Sequence, residues 1–278
     1  MAQAHTIETL SASGTTLRVV QLTDSHLCRD AGGTLLGMDT DRSLLAVINQ
    51  VRAERSGIDV LLGTGDLADG GAPEAYLRLR QYFDDLHAQN YWLPGNHDDR
   101  AGMERAAGDT PRMPGEIRIG GWQIVMLDSQ VPGSVGGKLG QVELTRLDEA
   151  LGTAAEAGLY SLVCLHHQPV AIGCGWLDEQ MVSDAEVFLD ILDQHDCVRG
   201  VLWGHVHQEI DRQRNGVRLL ASPSTCVQFA PGCKNFKADD QPPGYRWLDL
   251  QADGSIDSGV SRVTDVKFEV DLDSGGYL

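Results

Sequence analysis

Five short apolar segments, each followed at once by a loop that carries Asp, Asn or His, most constrain what this chain can fold into. The loops read TDSH, GTGD, PGNHDD, LHHQP and GHVH. Short apolar runs bounded by glycine or proline are typical of buried strands. Segments with helical spacing of apolar residues lie between several of them, as in DRSLLAVINQVRAE and PEAYLRLRQYFDDLHAQ. This strand–helix alternation predicts an α/β fold with sheet inside and helices outside.

Local signals predict several element boundaries. We expect Asp41 and Ser183 to cap the starts of two helices, because short polar side chains can accept the first free backbone N–H groups. Gly120–Gly121 predicts a hairpin turn. From about residue 208 onward, N-G and D-G turns separate alternating segments, so this C-terminal part is expected to consist of β-hairpins. The chain contains no internal repeat or long linker, and we expect residues 1–278 to form a single domain.

The polar residues in the five loops form a set suited to transition-metal ions. Ligands of α/β sheets bind outside the carboxyl ends of the strands, so these loops are expected to share one rim. The set combines carboxylate, amide and imidazole groups: Asp24, His26, Asp66, Asn96, His97, His166, His167, His205 and His207. Such mixed ligands suit Fe, Mn, Zn or Co better than Ca or Mg. The set is too large for one catalytic ion, and it predicts two ions about 3.5–4 Å apart that share a carboxylate.

The spacing within the loops has a functional and a plain interpretation. Asp24 and His26 lie two residues apart, as do His205 and His207. If each strand continues through its pair, both side chains face one side, which a metal site needs. Taken alone, such a pair could also be two polar residues on a solvated strand face. Three of the loops have a glycine directly before a polar residue: Gly65, Gly95 and Gly204. Glycine would let the backbone bend tightly beside the ions.

Composition limits the classes of partner and the compartment. The formal net charge of −18 argues against nucleic acid and anionic membrane surfaces, which attract basic proteins. No apolar run reaches the length of a membrane span, and the N-terminal residues do not resemble an export signal. The six cysteines are scattered without a C-x-x-C pair, so we expect free thiols and a cytoplasmic protein.

The five blocks D-S-H, G-D, G-N-H-D, H-H and G-H-V-H resemble the pattern of the calcineurin-like metallophosphoesterase superfamily. They cover the chain from about Thr23 to His207. The stretches DSHLCRDAGGTLLGMDT, HHQPVAIGCGWLDEQ and GHVHQEIDRQRNGVRLLASPSTCVQFAP are similar to the bacterial class III 3′,5′-cyclic AMP phosphodiesterases. The resemblance implies a layered fold in which β-sheets pack as a sandwich core flanked by helices.

The resemblance also implies a role for each residue of the set. The first ion would be held by Asp24, His26, Asp66 and His207. The second would be held by Asp66, Asn96, His166 and His205, with Asp66 bridging the two. His166 is the expected ligand of its pair, rather than His167. His97 would contact the substrate phosphate, as could Asn96. Acids in or beside the loops are candidates for orienting the imidazoles: Asp69, Asp98, Asp99 and Asp128.

The activity implied by the resemblance is hydrolysis of 3′,5′-cyclic AMP to 5′-AMP by a hydroxide that two ions activate, with iron or manganese as the expected metals. Catalysis would involve His97, Asn96 and His26, and Asp66 and His207 would also lie at the substrate phosphate. Either His97 or His26 would protonate the leaving oxygen. One alternative is a broader phosphodiesterase or phosphatase acting on glycerophosphodiesters, nucleotides or phosphoproteins. Another is an interaction protein without catalysis. The protein is expected to be a monomer or a homodimer.

Overall fold

Two stacked β-sheets form the centre of the computed structural model, which describes residues 6–87 and 89–276. The larger sheet has seven strands, in spatial order β1 (Ile7–Leu10), β7 (Glu116–Ile119), β8 (Trp122–Met126), β9 (Tyr160–Cys164), β10 (Val198–Trp203), β12 (Val217–Ala221) and β11 (Ile210–Arg214). The smaller sheet has five strands, in the order β16 (Ile256–Arg262), β15 (Gly244–Leu250), β2 (Leu17–Leu22), β5 (Val60–Thr64) and β6 (Asn90–Leu93).

Helices and two short ribbons complete the described structure. The helices are α1 (Thr40–Glu54), α2 (Pro73–Leu86), α3 (Arg100–Ala107), α4 (Gly140–Glu156), α5 (Gly175–Asp178) and α6 (Ala185–Asp193), with a 3₁₀ turn at Asp69–Gly71. The ribbons pair β3 (Thr34–Leu35) with β4 (Met38–Asp39) and β13 (Gln228–Phe229) with β14 (Ala238–Asp239).

The apolar core lies in three layers. The middle layer joins the two sheets face to face, with Leu62 from the smaller sheet and Leu202 from the larger sheet in one buried cluster. The outer face of the smaller sheet packs against α1–α3, and the outer face of the larger sheet packs against α4 and α6. The structure therefore confirms the predicted sandwich core flanked by helices. The shared middle layer supports the expected single domain over 1–278, which stays a prediction.

The parallel strands determine where the polar loops meet. In the smaller sheet β2, β5 and β6 run parallel, and in the larger sheet β8, β9, β10 and β12 do. All five polar loops follow such strands, namely β2, β5, β6, β9 and β10. The chain thus returns five times to one edge of the sandwich, as the sequence predicts.

Both predicted helix caps are wrong by one or two residues. The N-cap of α1 is Asp39, whose carboxylate accepts the Arg42 backbone N–H at 2.9 Å, while Asp41 turns to Arg78 and Tyr82. Helix α6 begins after Asp184 rather than Ser183. The Asp184 carboxylate does not cap α6, because it accepts the backbone N–H groups of Leu139 and Gly140 instead. Single-sequence cap signals cannot choose between neighbouring polar residues.

The predicted hairpins are present. Asn215 and Gly216 join β11 to β12, and both have positive φ (50° and 85°), as a type I′ turn requires. Asp253–Gly254 lies in the turn from β15 to β16, and Gly120–Gly121 in the turn from β7 to β8. All six cysteines are free thiols, as expected. Among the helices of the described residues, none has the length and apolarity needed to cross a bilayer.

Candidate metal centre

The loops at the rim have left-handed backbone at alternate residues. Strand β2 ends at Leu22 and β10 at Trp203, so the condition that each strand continues through its paired residues is not met. Positive φ angles between 43° and 64° occur instead at the following polar residues: Asp24, His26, Asp66, His205 and His207. Each such non-glycine residue costs roughly 1 kcal/mol or more, so contacts elsewhere must hold it in place.

Hydrogen bonds between the loops hold this backbone. The Asp24 N–H donates to the Gly65 carbonyl at 3.0 Å, and the His26 N–H donates to the Asp66 carbonyl at 2.9 Å. The Asp24 carboxylate in turn accepts the backbone N–H of His205 at 3.0 and 3.1 Å. Residues from three strand ends are thereby fixed to one another before any ion binds.

The first cluster of ligand atoms comprises Asp24, His26 and His207, all almost fully buried. The Nε2 atom of His207 lies 3.3 Å from Asp24 Oδ1 and 3.3 Å from His26 Nε2. Because His207 Nδ1 donates to the Val227 carbonyl at 2.6 Å, the lone pair of His207 is on Nε2. A lone pair and a carboxylate oxygen converge here, which is the arrangement that a cation stabilises.

The second cluster centres on Asp66. Its Oδ2 atom lies 3.2 Å from His166 Nε2 and 3.9 Å from His26 Nε2, so the carboxylate stands between the two clusters. His166 Nδ1 donates to the Thr64 carbonyl at 2.8 Å, which leaves Nε2 as the atom with a lone pair. His205 joins His166 and His167 in a further group of candidate ligand atoms. This arrangement fits a carboxylate shared by two ions.

Asn96 and His97 follow β6 and reach the same place. The Oδ1 atom of Asn96 is buried and has no hydrogen-bond partner within the described part of the chain. A buried acceptor of this kind needs an explanation, and a metal ion beside it would supply one. The His97 N–H donates to Asp66 Oδ1 at 2.8 Å, and the His97 ring meets the His26 ring edge-on at 4.8 Å.

The geometry separates His166 from its neighbour His167. Both ring nitrogens of His167 have protein partners, since Nε2 lies 3.1 Å from the Val135 carbonyl and Nδ1 lies 2.8 Å from Ser129 Oγ. His167 could bind an ion only by giving up one of these hydrogen bonds. The contacts therefore support His166 as the ligand of the pair.

Three glycines lie where a side chain would displace a candidate ligand. A Cβ atom at Gly65 would run into the His166 ring, one at Gly95 into Asp66, and one at Gly204 into Thr23 and Asp24. Gly65 also has a φ of 93°. The predicted tight turns are therefore only part of the role of these glycines. At Gly95 and Gly204 the backbone lies so close to neighbouring residues that no side chain fits.

Of the four acids expected to orient imidazoles, only Asp69 contacts a ring among the candidate site residues. Asp69 Oδ1 lies 3.1 Å from His97 Nδ1. Asp98 instead accepts backbone N–H groups from the loops after β5 and β6, Asp99 caps α3, and Asp128 pairs with Arg100. For the other three acids the orienting role is wrong.

The groups that orient the ligand rings were missed at the sequence level. They are the backbone carbonyls of Thr64 and Val227, and the side chain of Gln180, whose Oε1 lies 2.9 Å from His205 Nε2. Backbone carbonyls carry no sequence signal. Gln180 lies in the stretch GWLDEQ, outside the five blocks, and only the tertiary structure brings it to His205.

The charges of the site keep its carboxylates ionised. Burial alone would raise the pKa of Asp66, but His166, His97 and His26 lower that pKa well below its usual value. Burial lowers the pKa of His26 to about 3, so this ring is neutral. Although burial opposes protonation, the Asp66 carboxylate raises the pKa of His166 to about 9. Because ionised carboxylate and neutral imidazole are the forms that bind a metal ion, an ion here would take the place of that proton.

His97 differs from the buried ligand candidates. Burial opposes its protonation, but its hydrogen bond to Asp69 and the charge of Asp66 together raise the His97 pKa above the usual value. A partly exposed imidazole that is readily protonated suits contact with an anion better than contact with a cation.

Comparison with known proteins extends the similarity beyond the metal loops. A family model described as calcineurin-like phosphoesterase matches residues 17–209. The 3′,5′-cyclic adenosine monophosphate phosphodiesterase CpdA of Pseudomonas aeruginosa is 46% identical over 266 residues, which cover 96% of this chain and 97% of that protein. The protein of the same name from Escherichia coli K12 is 40% identical, with 94% of this chain and 95% of that protein covered.

A solved structure has a similar fold. The dimetal phosphatase of Danio rerio aligns with a TM-score of 0.53 and 16% sequence identity, and the alignment covers 90% of this chain and 100% of that one. At this level of identity the likeness concerns the fold alone. It agrees with the layered arrangement of two sheets and flanking helices.

Proposed function

This chain belongs to the calcineurin-like phosphoesterase family, and from that premise we propose that it hydrolyses 3′,5′-cyclic AMP to 5′-AMP at a centre of two metal ions. The observation that carries the proposal is the convergence of acidic and imidazole groups from five strand ends beside the Asp66 carboxylate, with the buried, unpartnered Oδ1 of Asn96 next in sequence to His97. Similarity to named cyclic AMP phosphodiesterases over nearly the whole chain supports the substrate. The resemblance expected from the sequence is thereby confirmed at the level of the family.

The residues divide into two ligand sets. We assign Asp24, His26, Asp66 and His207 to one ion, and Asp66, Asn96, His166 and His205 to the other. When bound, such ions neutralise charge on a phosphate and generate a nucleophile from water near neutral pH. Iron and manganese fit a set of mixed oxygen and nitrogen ligands.

His97 binds and stabilises the reacting phosphate in this proposal. Its ring is held by Asp69, and its raised pKa favours a positive charge where negative charge develops on the phosphate oxygens. Asn96 holds an ion through Oδ1, which leaves its amide N–H₂ group to donate to the phosphate.

Protonation of the leaving 3′ oxygen is also assigned to His97. The other candidate, His26, is fully buried and its pKa is lowered to about 3, so it carries no proton to donate near neutral pH. His97 is partly exposed and readily protonated.

The test is a substrate panel with metal control. Purified protein is assayed with cyclic AMP, cyclic GMP, bis(p-nitrophenyl) phosphate and p-nitrophenyl phosphate, before and after chelation and after return of Mn²⁺ or Fe²⁺. We expect cyclic AMP hydrolysis that chelation abolishes and metal restores. If the protein hydrolyses simple diesters but not cyclic AMP, the proposed substrate is wrong and the broader phosphodiesterase activity is supported instead. Full activity after thorough chelation would reject the metal centre.

An interaction protein without catalysis is the less favoured alternative, because every ligand candidate and His97 are present and adjacent. That alternative predicts no turnover of any of the four substrates. The cytoplasmic location and the monomeric or homodimeric state stay predictions.

A further inference from the structure

Three of the four buried ligand imidazoles, those that follow strands of the larger sheet, are oriented by two different kinds of partner. His166 donates through Nδ1 to the carbonyl of Thr64, and His207 donates through Nδ1 to the carbonyl of Val227. His205 contacts a side chain instead: its Nε2 lies 2.9 Å from Oε1 of Gln180. A metal-bound histidine usually donates its other ring N–H to such an acceptor, which fixes the ring and its tautomer.

The backbone of His205 alone cannot fix its ring. Its N–H is held by the Asp24 carboxylate, and its φ of 64° places it in the left-handed region. These contacts determine where the Cα and Cβ atoms lie, and the rings of His166 and His167, whose centroids lie 5.1 and 4.7 Å away, restrict the ring by packing. Packing does not select which ring nitrogen carries the proton, and the contact with Gln180 Oε1 does.

Gln180 is well placed to act as a fixed acceptor. It follows α5, and its backbone N–H donates to the Leu177 carbonyl at 2.9 Å, while its own carbonyl accepts the Gly137 N–H at 3.2 Å. Helix α5 is tied at its start by the Gly175 N–H, which donates to the Cys233 carbonyl at 2.9 Å. The main chain of Gln180 is therefore held from two sides, and its amide reaches His205 from a constrained base.

We propose that Gln180 is a positioning residue that keeps the proton of His205 on Nε2 and thereby presents Nδ1 to the second ion. An amide oxygen only accepts hydrogen bonds, so this contact requires a proton on Nε2 and leaves the lone pair on Nδ1. The inference rests on the proposed two-ion centre and assigns a function to a residue outside the five sequence blocks.

The experiment compares three substitutions of Gln180 by metal titration. Gln180→Leu removes the acceptor at similar size, Gln180→Asn withdraws it by one methylene, and Gln180→Glu keeps an acceptor oxygen at the same reach. Gln194→Leu is the matched control, because Gln194 is an exposed glutamine whose side-chain amide donates to the carbonyl of Asp190. Circular dichroism verifies that each variant is folded.

We expect the wild type to bind two Mn²⁺ ions per chain at saturation. In Gln180→Leu and Gln180→Asn, the affinity for one of the two ions falls about 10–100-fold, while the other is retained. Gln180→Glu binds both ions within a few-fold of the wild type, and so does Gln194→Leu. If Gln180→Leu fails to fold, Gln180→Asn decides the matter.

A second measurement reads the tautomer directly. In the Zn²⁺-loaded protein, long-range ¹H–¹⁵N correlation spectra are expected to show His205 protonated at Nε2 in the wild type and in Gln180→Glu. Unchanged affinities for both ions in Gln180→Leu and Gln180→Asn would overturn the proposal. So would an equal loss in Gln180→Glu, since a general disturbance of the loop would then explain the effect.

Metal titration also separates this inference from the proposed substrate. A protein that binds two ions but does not hydrolyse cyclic AMP would contradict the proposed activity. The role of Gln180 could still be tested in that case, because it is measured by the Mn²⁺ affinity of the variants. A protein that hydrolyses cyclic AMP normally while Gln180→Leu retains both ions would contradict the role of Gln180 alone.

Discussion

The two sheets bring different chemistry to the rim. The smaller sheet, through the loops after β2, β5 and β6, supplies all the proposed oxygen ligands, Asp24, Asp66 and Asn96, and one imidazole, His26. The larger sheet, through the loops after β9 and β10, supplies only imidazoles: His166, His205 and His207. Each proposed ion draws ligands from both. The centre therefore depends on how the sheets pack, and neither sheet could form it alone.

Hydrogen bonds between residues of the smaller and the larger sheet position the candidate ligands. His166 of the larger sheet is oriented by Thr64 of the smaller one, and Asp24 of the smaller sheet holds the backbone of His205. Below them, the buried Gln21 side chain donates both to the Trp203 carbonyl and to Thr64 Oγ1. The geometry of the proposed ligands is therefore set by packing between the two sheets and not by either set of loops separately.

The largest effect is expected where both ligand sets meet. Asp66→Asn removes a charge shared by both ions, and loss of the several kcal/mol that metal ions contribute corresponds to about 1,000-fold in kcat. His166→Gln, on the larger sheet, removes a ligand of the second ion only. At limiting Mn²⁺ we expect His166→Gln to retain one ion and Asp66→Asn to retain neither. Assays with elemental analysis check this, with the exposed Asp85→Asn as control. Equal ion loss in both variants would contradict the assignment of Asp66 to both ions and of His166 to one.

The next effect concerns the packing between the sheets. Leu202→Ala creates a cavity in the middle core layer and is expected to lower the free energy of unfolding by about 3 kcal/mol. Leu61→Ala makes the same change on the outer face of the smaller sheet. Denaturant unfolding should give similar losses, but kcat of the folded protein should fall only for Leu202→Ala. If kcat falls equally in both, the boundary between the sheets has no special role.

A smaller effect is expected at the substrate side. His97→Ala should lower kcat about 100-fold, because a preorganised group that stabilises developing charge is lost. Both ions should stay bound, since the hydrogen bond from His97 to Asp66 Oδ1 comes from the backbone N–H, which the substitution leaves in place. Kinetics and elemental analysis together check this, and His195→Ala serves as a control outside the rim. Loss of an ion from His97→Ala would make His97 part of the ligand set.

The smallest effect is expected at the edge of the larger sheet. Gly216→Ala places a side chain at a φ of 85° with nothing within 4 Å of its Cβ, so only backbone strain is added, about 1 kcal/mol of unfolding free energy. Gly275→Ala, which also has open space around its Cβ, should cost less. Thermal unfolding measures both. Turnover should be unchanged, and a fall in kcat would extend the active region to the β11–β12 hairpin.

Much of this site could be predicted from the sequence because its residues follow apolar strands in parallel order. The strand ends, the common rim and the glycines all follow from local patterns. The partners that orient the rings could not be predicted, because they are distant in sequence: Thr64 and His166 are 102 residues apart. The predicted caps Asp41 and Ser183 were wrong for a different reason. Several neighbouring polar residues carry the same cap signal, and the helices begin after Asp39 and Asp184 instead.

The left-handed backbone of the rim narrows the choice of side chain there. Asp, Asn and His are the non-glycine residues that tolerate positive φ best, and Asp24, His26, Asp66, His205 and His207 are of these types. The donor chemistry and the chain conformation thus select the same few amino acids. An engineer who exchanges these donors for glutamate or cysteine, in order to retune which ion is preferred, would meet a conformational penalty as well as a new coordination geometry.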